Sequence, residues 1–114
     1  MNNLKPLMPS MKAKTRYVVF EIISEKEIDL DAFETTLLDV CMDFMGRMAF
    51  SEADIRIFKK LYINKKVILK VNRKYTSHIM VCLGLIKKVK NIKTIIKSIK
   101  VCGSIKKAKY ILEV

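Results

Sequence analysis

One acidic side chain, Glu113, is all that residues 55–114 set against 17 lysines and arginines. Residues 1–54 hold 6 basic and 10 acidic side chains, so a chain of net charge +12 divides into a half of −4 and a half of +16. A fold charged this one-sidedly repels itself until something anionic neutralises it, and nucleic acid is the commonest such partner. Cysteine is scarce too. Cys41, Cys82 and Cys102 are far apart, each in an apolar run, and form no C-x-x-C pair. That odd, scattered set excludes a disulfide framework and a zinc site and predicts three buried, reduced thiols in a cytoplasmic protein. His78 is the single histidine, with no cysteine or second histidine within helical reach. Metal binding is therefore not expected. No apolar run approaches the roughly 20 residues that span a bilayer, and the opening MNNLKPLMPSMKAK lacks the apolar region of a secretory signal. There is no glycine-rich phosphate loop, nucleophile elbow or Ser-His-Asp arrangement. Asp29, Asp31, Asp39 and Asp43 fall on or near one helix that has its own structural use for them. The sequence thus predicts no catalytic residue and no cofactor bound by the protein.

What is present is enough for one folded domain. Hydrophobic residues make up 51% of the 114 and charged residues 30%, so a core can form without staples. Residues 1–14, with Pro6, Pro9 and three lysines, read as a basic arm, and residues 15–114 as a single domain. TRYVVFEII at 15–23 predicts a strand with Val18, Phe20 and Ile22 on one side and Tyr17, Val19 and Glu21 on the other. A helix follows, capped by Asp29 or Asp31, with an apolar stripe of Leu30, Phe33, Leu37, Cys41, Phe44 and Met48 and a stop at Gly46. DIRIFKKLYI at 54–63 alternates and predicts a strand, Lys59 excepted. Asn64, Lys65 and Lys66 turn it into a second strand with Val67, Leu69 and Val71 inward. Thr76 or Ser77 caps a second helix striped by Ile79, Cys82, Leu83 and Ile86. A last strand runs over about 95–102, with Ile95, Ile99 and Val101 on one parity and Lys97 spoiling it, followed by a basic tail. The resulting βαββαβ order predicts an α+β, ferredoxin-like (RRM-like) sandwich, a four-stranded antiparallel sheet with two helices on one face. That fold hosts enzymes, metabolite sensors and RNA-binding modules alike.

Two stretches look suited to RNA. Arg56, Phe58, Lys60 and Tyr62 interleave charge and aromatic rings on one strand face, which suits phosphates and bases. The neighbouring strand offers only Lys66, Ile68 and Lys70 outward, without an aromatic, which favours backbone binding over base reading. In VCGSIKKAKY, at 101–110, an apolar strand ends in small residues and hands over to Lys106, Lys107 and Lys109. Gly103 allows a turn that brings backbone N–H groups to an anion, and a helix beginning at Ser104 would add its positive end. If Gly103 has φ > 0, a β-branched replacement there would damage folding. Lys12, Lys14, Arg16, Arg73 and Lys74 complete the set of candidate phosphate contacts.

Three segments carry a family resemblance. LKPLMPSMKAKTRYVVFEI at 4–22 resembles the opening of archaeal ribonuclease P protein component 2, whose eukaryotic relatives serve in ribonuclease P and the MRP enzyme. LKVNRKY at 69–75 resembles its strand end before the second helix. VCGSIKKAK at 101–109 resembles its Val-Ser-Gly-Thr-Ile-Arg-Lys-Ala pattern, with Cys102, Ser104 and Lys106 standing for Ser, Thr and Arg. The first two exchanges are nearly isosteric, and the third keeps charge but loses the bidentate fork. The resemblance implies an accessory subunit of a ribonucleoprotein that removes the 5′ leader of precursor tRNA. It implies that the RNA subunit carries catalysis and uses Mg2+, and that this chain pairs with a TIM-barrel-like sister subunit (protein component 3). It further implies that two such pairs self-associate, that precursor tRNA is met only indirectly, and that no membrane is involved. Another RNA-binding module, such as a ribosomal protein, shares the basic half, whereas a metabolite-sensing ferredoxin-like domain would call for a nearly neutral one.

Overall fold

Val18, Phe20 and Ile22 are buried on one side of β1 (Thr15–Ser24), and the sequence alternation there predicts what its two faces do. The computed structural model describes residues 15–113; the arm of residues 1–14, with Lys12 and Lys14, lies outside the described residues. After β1 come α1 (Leu30–Met45), α2 (Arg47–Ala53), β2 (Arg56–Ile57), β3 (Lys66–Asn72), α3 (Thr76–Leu85), β4 (Lys88–Val89), β5 (Ile92–Cys102) and α4 (Ile105–Leu112). The strands form one sheet in the order β2-β3-β1-β5-β4, with every neighbouring pair antiparallel. The expected four-stranded sheet is therefore five-stranded. The additional strand, β4, is half of a tight hairpin with β5, turned by Lys90 (φ 49°) and Asn91 (φ 66°). Positive φ at both central residues gives the turn the twist that antiparallel strands need.

α1 and α3 bury Phe33, Leu37, Cys41, Ile79, Cys82 and Leu83 against Val18, Phe20, Ile22, Val67, Leu69 and Val71. Asp29 caps α1, its carboxylate accepting from the Asp31 N–H at 3.2 Å. Gly46 ends the helix at φ 84°, its N–H donating to the Met42 carbonyl. The chain turns at once into α2, so the expected stripe stops short: Phe44 and Met48 are exposed. The α3 cap also lies earlier than expected. Asn72 accepts from the Lys74 N–H and starts a 3-10 turn, Arg73–Tyr75, that runs into the helix, while the Thr76 hydroxyl donates back to the Arg73 carbonyl.

The expectation of helices on one face only is corrected by α4, which covers the other. Ala108 and Leu112 are buried there with Val19, Ile68 and Cys102, flanked by Tyr17, Phe58, Leu61, Ile105 and Ile111. Ile68, read from sequence as outward-facing, is fully buried by this packing. Burying a side chain of this size is worth roughly 1.5–3 kcal/mol. The last turn of α4 is tied to the β2–β3 connection. Asn64 Nδ2 donates to the Leu112 carbonyl at 3.2 Å, and Lys66 Nζ to the Ile111 carbonyl at 3.5 Å. Both donate to carbonyls of the helix's last turn, where the backbone ladder runs out of donors, and a cation is favoured at that negative end.

Candidate nucleic-acid interface

The chain leaves the strand path after Ile57, partway along the predicted 54–63 strand, and this divides the expected Arg56, Phe58, Lys60, Tyr62 face. Arg56 and Ile57 pair with β3, opposite Lys70 and Leu69, and Ile63 returns as an isolated bridge to Lys66. A 3-10 turn, Lys59–Leu61, lies between. Phe58 turns under α4 and stacks with Tyr17, ring centroids 6.2 Å apart. Tyr62 packs against the main core, where burial pushes its phenol pKa up. Neither ring is presented with the basic residues on one open strand face. The 3-10 turn also explains Lys59, the residue that broke the alternation. Its ammonium reaches Asp31 at 2.8 Å and Glu34 at 3.0 Å on α1. The hydrogen bond from Lys59 lowers the Asp31 pKa, and its bonds to Asp31 and Glu34 raise that of Lys59.

Lys60 and Lys109 come together instead, lining a 320 Å³ hollow with Leu61, Tyr62 and Leu112. Arg73 and Lys74 line a second hollow, of 430 Å³, with Glu52 and Asn72. The Tyr75 hydroxyl holds that corner by donating to the Glu52 carboxylate, a bond that raises the tyrosine pKa. Arg56 forms a 3.5 Å ion pair with Asp54. Arg16 stands opposite Val71 and donates from its guanidinium to the Thr15 carbonyl at 2.9 Å. Arg16 and Val71 therefore share the helix-layer face, away from α4.

The largest of these hollows is a 770 Å³ groove between β5 and α4. Ser104 is the α4 N-cap, its hydroxyl accepting from the Lys107 N–H at 3.3 Å, as the small-residue turn suggested, with the helix itself starting one residue later. Lys106 and Lys107 flank the groove with Lys100. Gly103 lies on its wall, but its φ is not positive and a Cβ there would meet nothing within 4 Å. The glycine leaves room at the turn; it does not supply a left-handed one.

Sequence reading missed Lys100, because the register of β5 depends on a bulge. Val19 pairs with Lys100 and Phe20 with Ser98, leaving Ile99 as the extra residue. Partners in an antiparallel pair share a face. Lys97, opposite Glu21, and Lys100, opposite Val19, therefore both lie on the α4 side, although three residues apart in a strand they would ordinarily lie on opposite sides. The same bulge undoes the expected apolar parity: Ile95, Ile99 and Val101 are all exposed. Lys70, read from sequence as outward, stands opposite both Arg56 and Tyr17 and lies on this side as expected. The charge run and the lone Glu113 were legible signals for the basic half, but the face taken by Lys97 and Lys100 was not.

No group of three or more His, Cys, Asp or Glu side chains that could hold a metal ion occurs among the described residues. The three cysteines are free and buried. Burial pushes the Cys41 and Cys82 thiols up in pKa, with the neighbouring Cys82 sulfur adding to the effect on Cys41. No helix among the described residues is long and apolar enough to cross a membrane.

Known proteins resemble this chain along nearly its whole length. Ribonuclease P protein component 2 of Pyrococcus furiosus is 27% identical over 105 residues, 92% of this chain and 88% of that protein. Its counterpart from Pyrococcus abyssi is 29% identical over 106 residues, 93% and 90% of the two chains. In fold, a chain of the cryo-EM structure of yeast ribonuclease MRP superposes with a TM-score of 0.65 at 10% identity, covering 89% of this chain and 87% of that one. Residues 16–112 match the Rpp14/Pop5 family, and the chain belongs to that family.

Proposed function

We propose that this protein is an accessory subunit of ribonuclease P, the ribonucleoprotein that removes the 5′ leader of precursor tRNA. It binds the RNA subunit by neutralising phosphates and takes no part in bond cleavage. The relatives named ribonuclease P protein component 2 support the assembly. The single observation that carries the mechanism is the placement of Lys97, Lys100, Lys106 and Lys107 on the β5 and α4 side of the molecule. Folded RNA packs phosphates closely, and lysines fixed on a rigid scaffold lower that repulsion. Less entropy is lost on binding than with a flexible basic tail, so less Mg2+ is needed by the RNA for the same folded population. The acids of α1 lie in the opposite layer, beyond the sheet. The β1-α1-β2-β3-α3-β5 order reads as a split βαβ, ferredoxin-like core to which the β4 hairpin, α2 and α4 are added. A TIM-barrel-like sister subunit, self-association of two such pairs, a cytoplasmic site of action and no membrane contact complete this reading.

Reconstitution tests it. The protein alone should leave precursor tRNA intact in any divalent metal. Added with its sister subunit to the RNA subunit, it should lower the Mg2+ concentration at which 5′ cleavage is half-maximal. Cleavage by the RNA-free protein, or an unchanged Mg2+ requirement, would contradict the proposal.

A further inference from the structure

The groove between β5 and α4 is more than a cationic surface. Tyr110 lines it and is 72% exposed, and Ile99 at the bulge, 38% exposed, lines it too. Lys106 and Lys107 precede Tyr110 by four and three residues on α4, so the three side chains share one helix face. Lys100 stands across from them at the β5 bulge. A duplex backbone would use the lysines and leave the aromatic and aliphatic wall in water. An apolar ligand would use the wall and leave the lysines unneutralised. A nucleotide whose base has left the helical stack uses both, with its flat face on a tyrosine ring and its phosphates against lysines.

We infer that this groove takes an unpaired RNA nucleotide, its base stacked on Tyr110 beside Ile99 and its flanking phosphates held by Lys100, Lys106 and Lys107. The inference rests on the proposed RNA-binding function and adds to it the kind of RNA element bound, a bulge or loop. The aromatic recognition absent from β3 is thus supplied by the added helix. Gly103, with open space where a Cβ would lie, keeps the groove clear for the sugar-phosphate chain.

The test uses the full chain and two RNA duplexes that differ by one bulged 2-aminopurine nucleotide. The bulged duplex should bind more tightly by about five- to a hundred-fold, the range set by stacking of one base on an aromatic side chain, and its fluorescence should be quenched on binding. Tyr110→Ala should abolish the preference and the quenching, whereas Tyr110→Phe should retain both, since stacking needs no hydroxyl. The Lys100→Ala, Lys106→Ala, Lys107→Ala variant should weaken both duplexes alike and keep the preference. Equal, salt-dependent binding of the two duplexes by the wild-type protein would overturn the unpaired-nucleotide inference and leave the phosphate reading standing. A preference that survives Tyr110→Ala would overturn the inference as well. Salt-independent or absent binding of both, with tight binding of an acidic apolar peptide, would assign the groove to a protein partner and overturn both readings.

Discussion

Gly103 and Gly46 show why a glycine in a motif has to be judged by its backbone. Gly46 sits at φ 84°, where a side chain is strained although nothing crowds it. Gly103 has no such φ and open space around its missing Cβ. Gly46→Ala should therefore cost about 1 kcal/mol of stability, and Gly103→Ala should change it by no more than about 0.5 kcal/mol, as measured by thermal or urea unfolding. Equal losses at the two positions would contradict this. The expectation that a bulky residue at Gly103 damages folding needs a positive φ that the turn does not have. The thiols are a second matter for single residues. Cys41, Cys82 and Cys102 are buried, and the raised pKa of the first two keeps them protonated at neutral pH. None should react with a thiol-specific reagent in the native protein, and all three should react together on unfolding. Rapid native-state labelling of Cys41 or Cys82 would show that the α1–α3 layer opens.

Among the elements, the long periodic ones were legible and the short ones were not. β1, α1, β3 and α3 follow directly from alternation, caps and stripes, and Ile79, Cys82, Leu83 and Ile86 are buried as the stripe requires. α2 was hidden because Gly46 ends one helix and precedes the next without a loop. β4 was hidden because its turn places two non-glycine residues, Lys90 and Asn91, at positive φ, with Asn91 the one visible hint. The 54–63 alternation misled because its apolar residues divide between two cores, Ile55, Ile57 and Tyr62 packing with the main one and Phe58 and Leu61 under α4. Lys59, off the alternation, is placed by a tertiary contact, its ion pairs with Asp31 and Glu34. The Asp31 pKa is lowered, so its stabilisation is present above the ordinary carboxylate value and lost as pH falls through the lowered one. The Lys59 pKa is raised, so its stabilisation is present below the ordinary lysine value and lost as pH rises through the raised one. Lys59→Ala should thus lower the melting temperature between those limits and change it little at acid pH, where Asp31 is protonated. The difference should fade in 1 M salt, because these groups are exposed. A salt-insensitive loss would mean that Lys59 acts through packing of its stem. The candidate site was legible to a similar degree. Lys106 and Lys107 come together as the motif suggested, whereas Lys100 and Tyr110 join them only through the bulge at Ile99 and the docking of α4.

At the scale of the whole molecule, the central claim is that cations on the α4 side hold RNA phosphates. The claim predicts a definite dependence on salt. Each phosphate contact releases condensed counterions, so log affinity falls linearly with log salt, by roughly 0.7–0.9 per contact. Lys106, Lys107 and Lys109 are exposed on a helix anchored by Ala108 and Leu112. Replacing all three by Ala should leave that anchor and the melting temperature nearly unchanged. The direct measurement is the affinity for the ribonuclease P RNA subunit across a salt series, for the wild-type protein and for this triple variant. The predicted result is a steep linear fall for the wild type and a slope shallower by roughly 2–3 for the variant, about one unit per lost contact. Identical affinities and slopes for the two proteins would contradict the account and move the RNA away from α4.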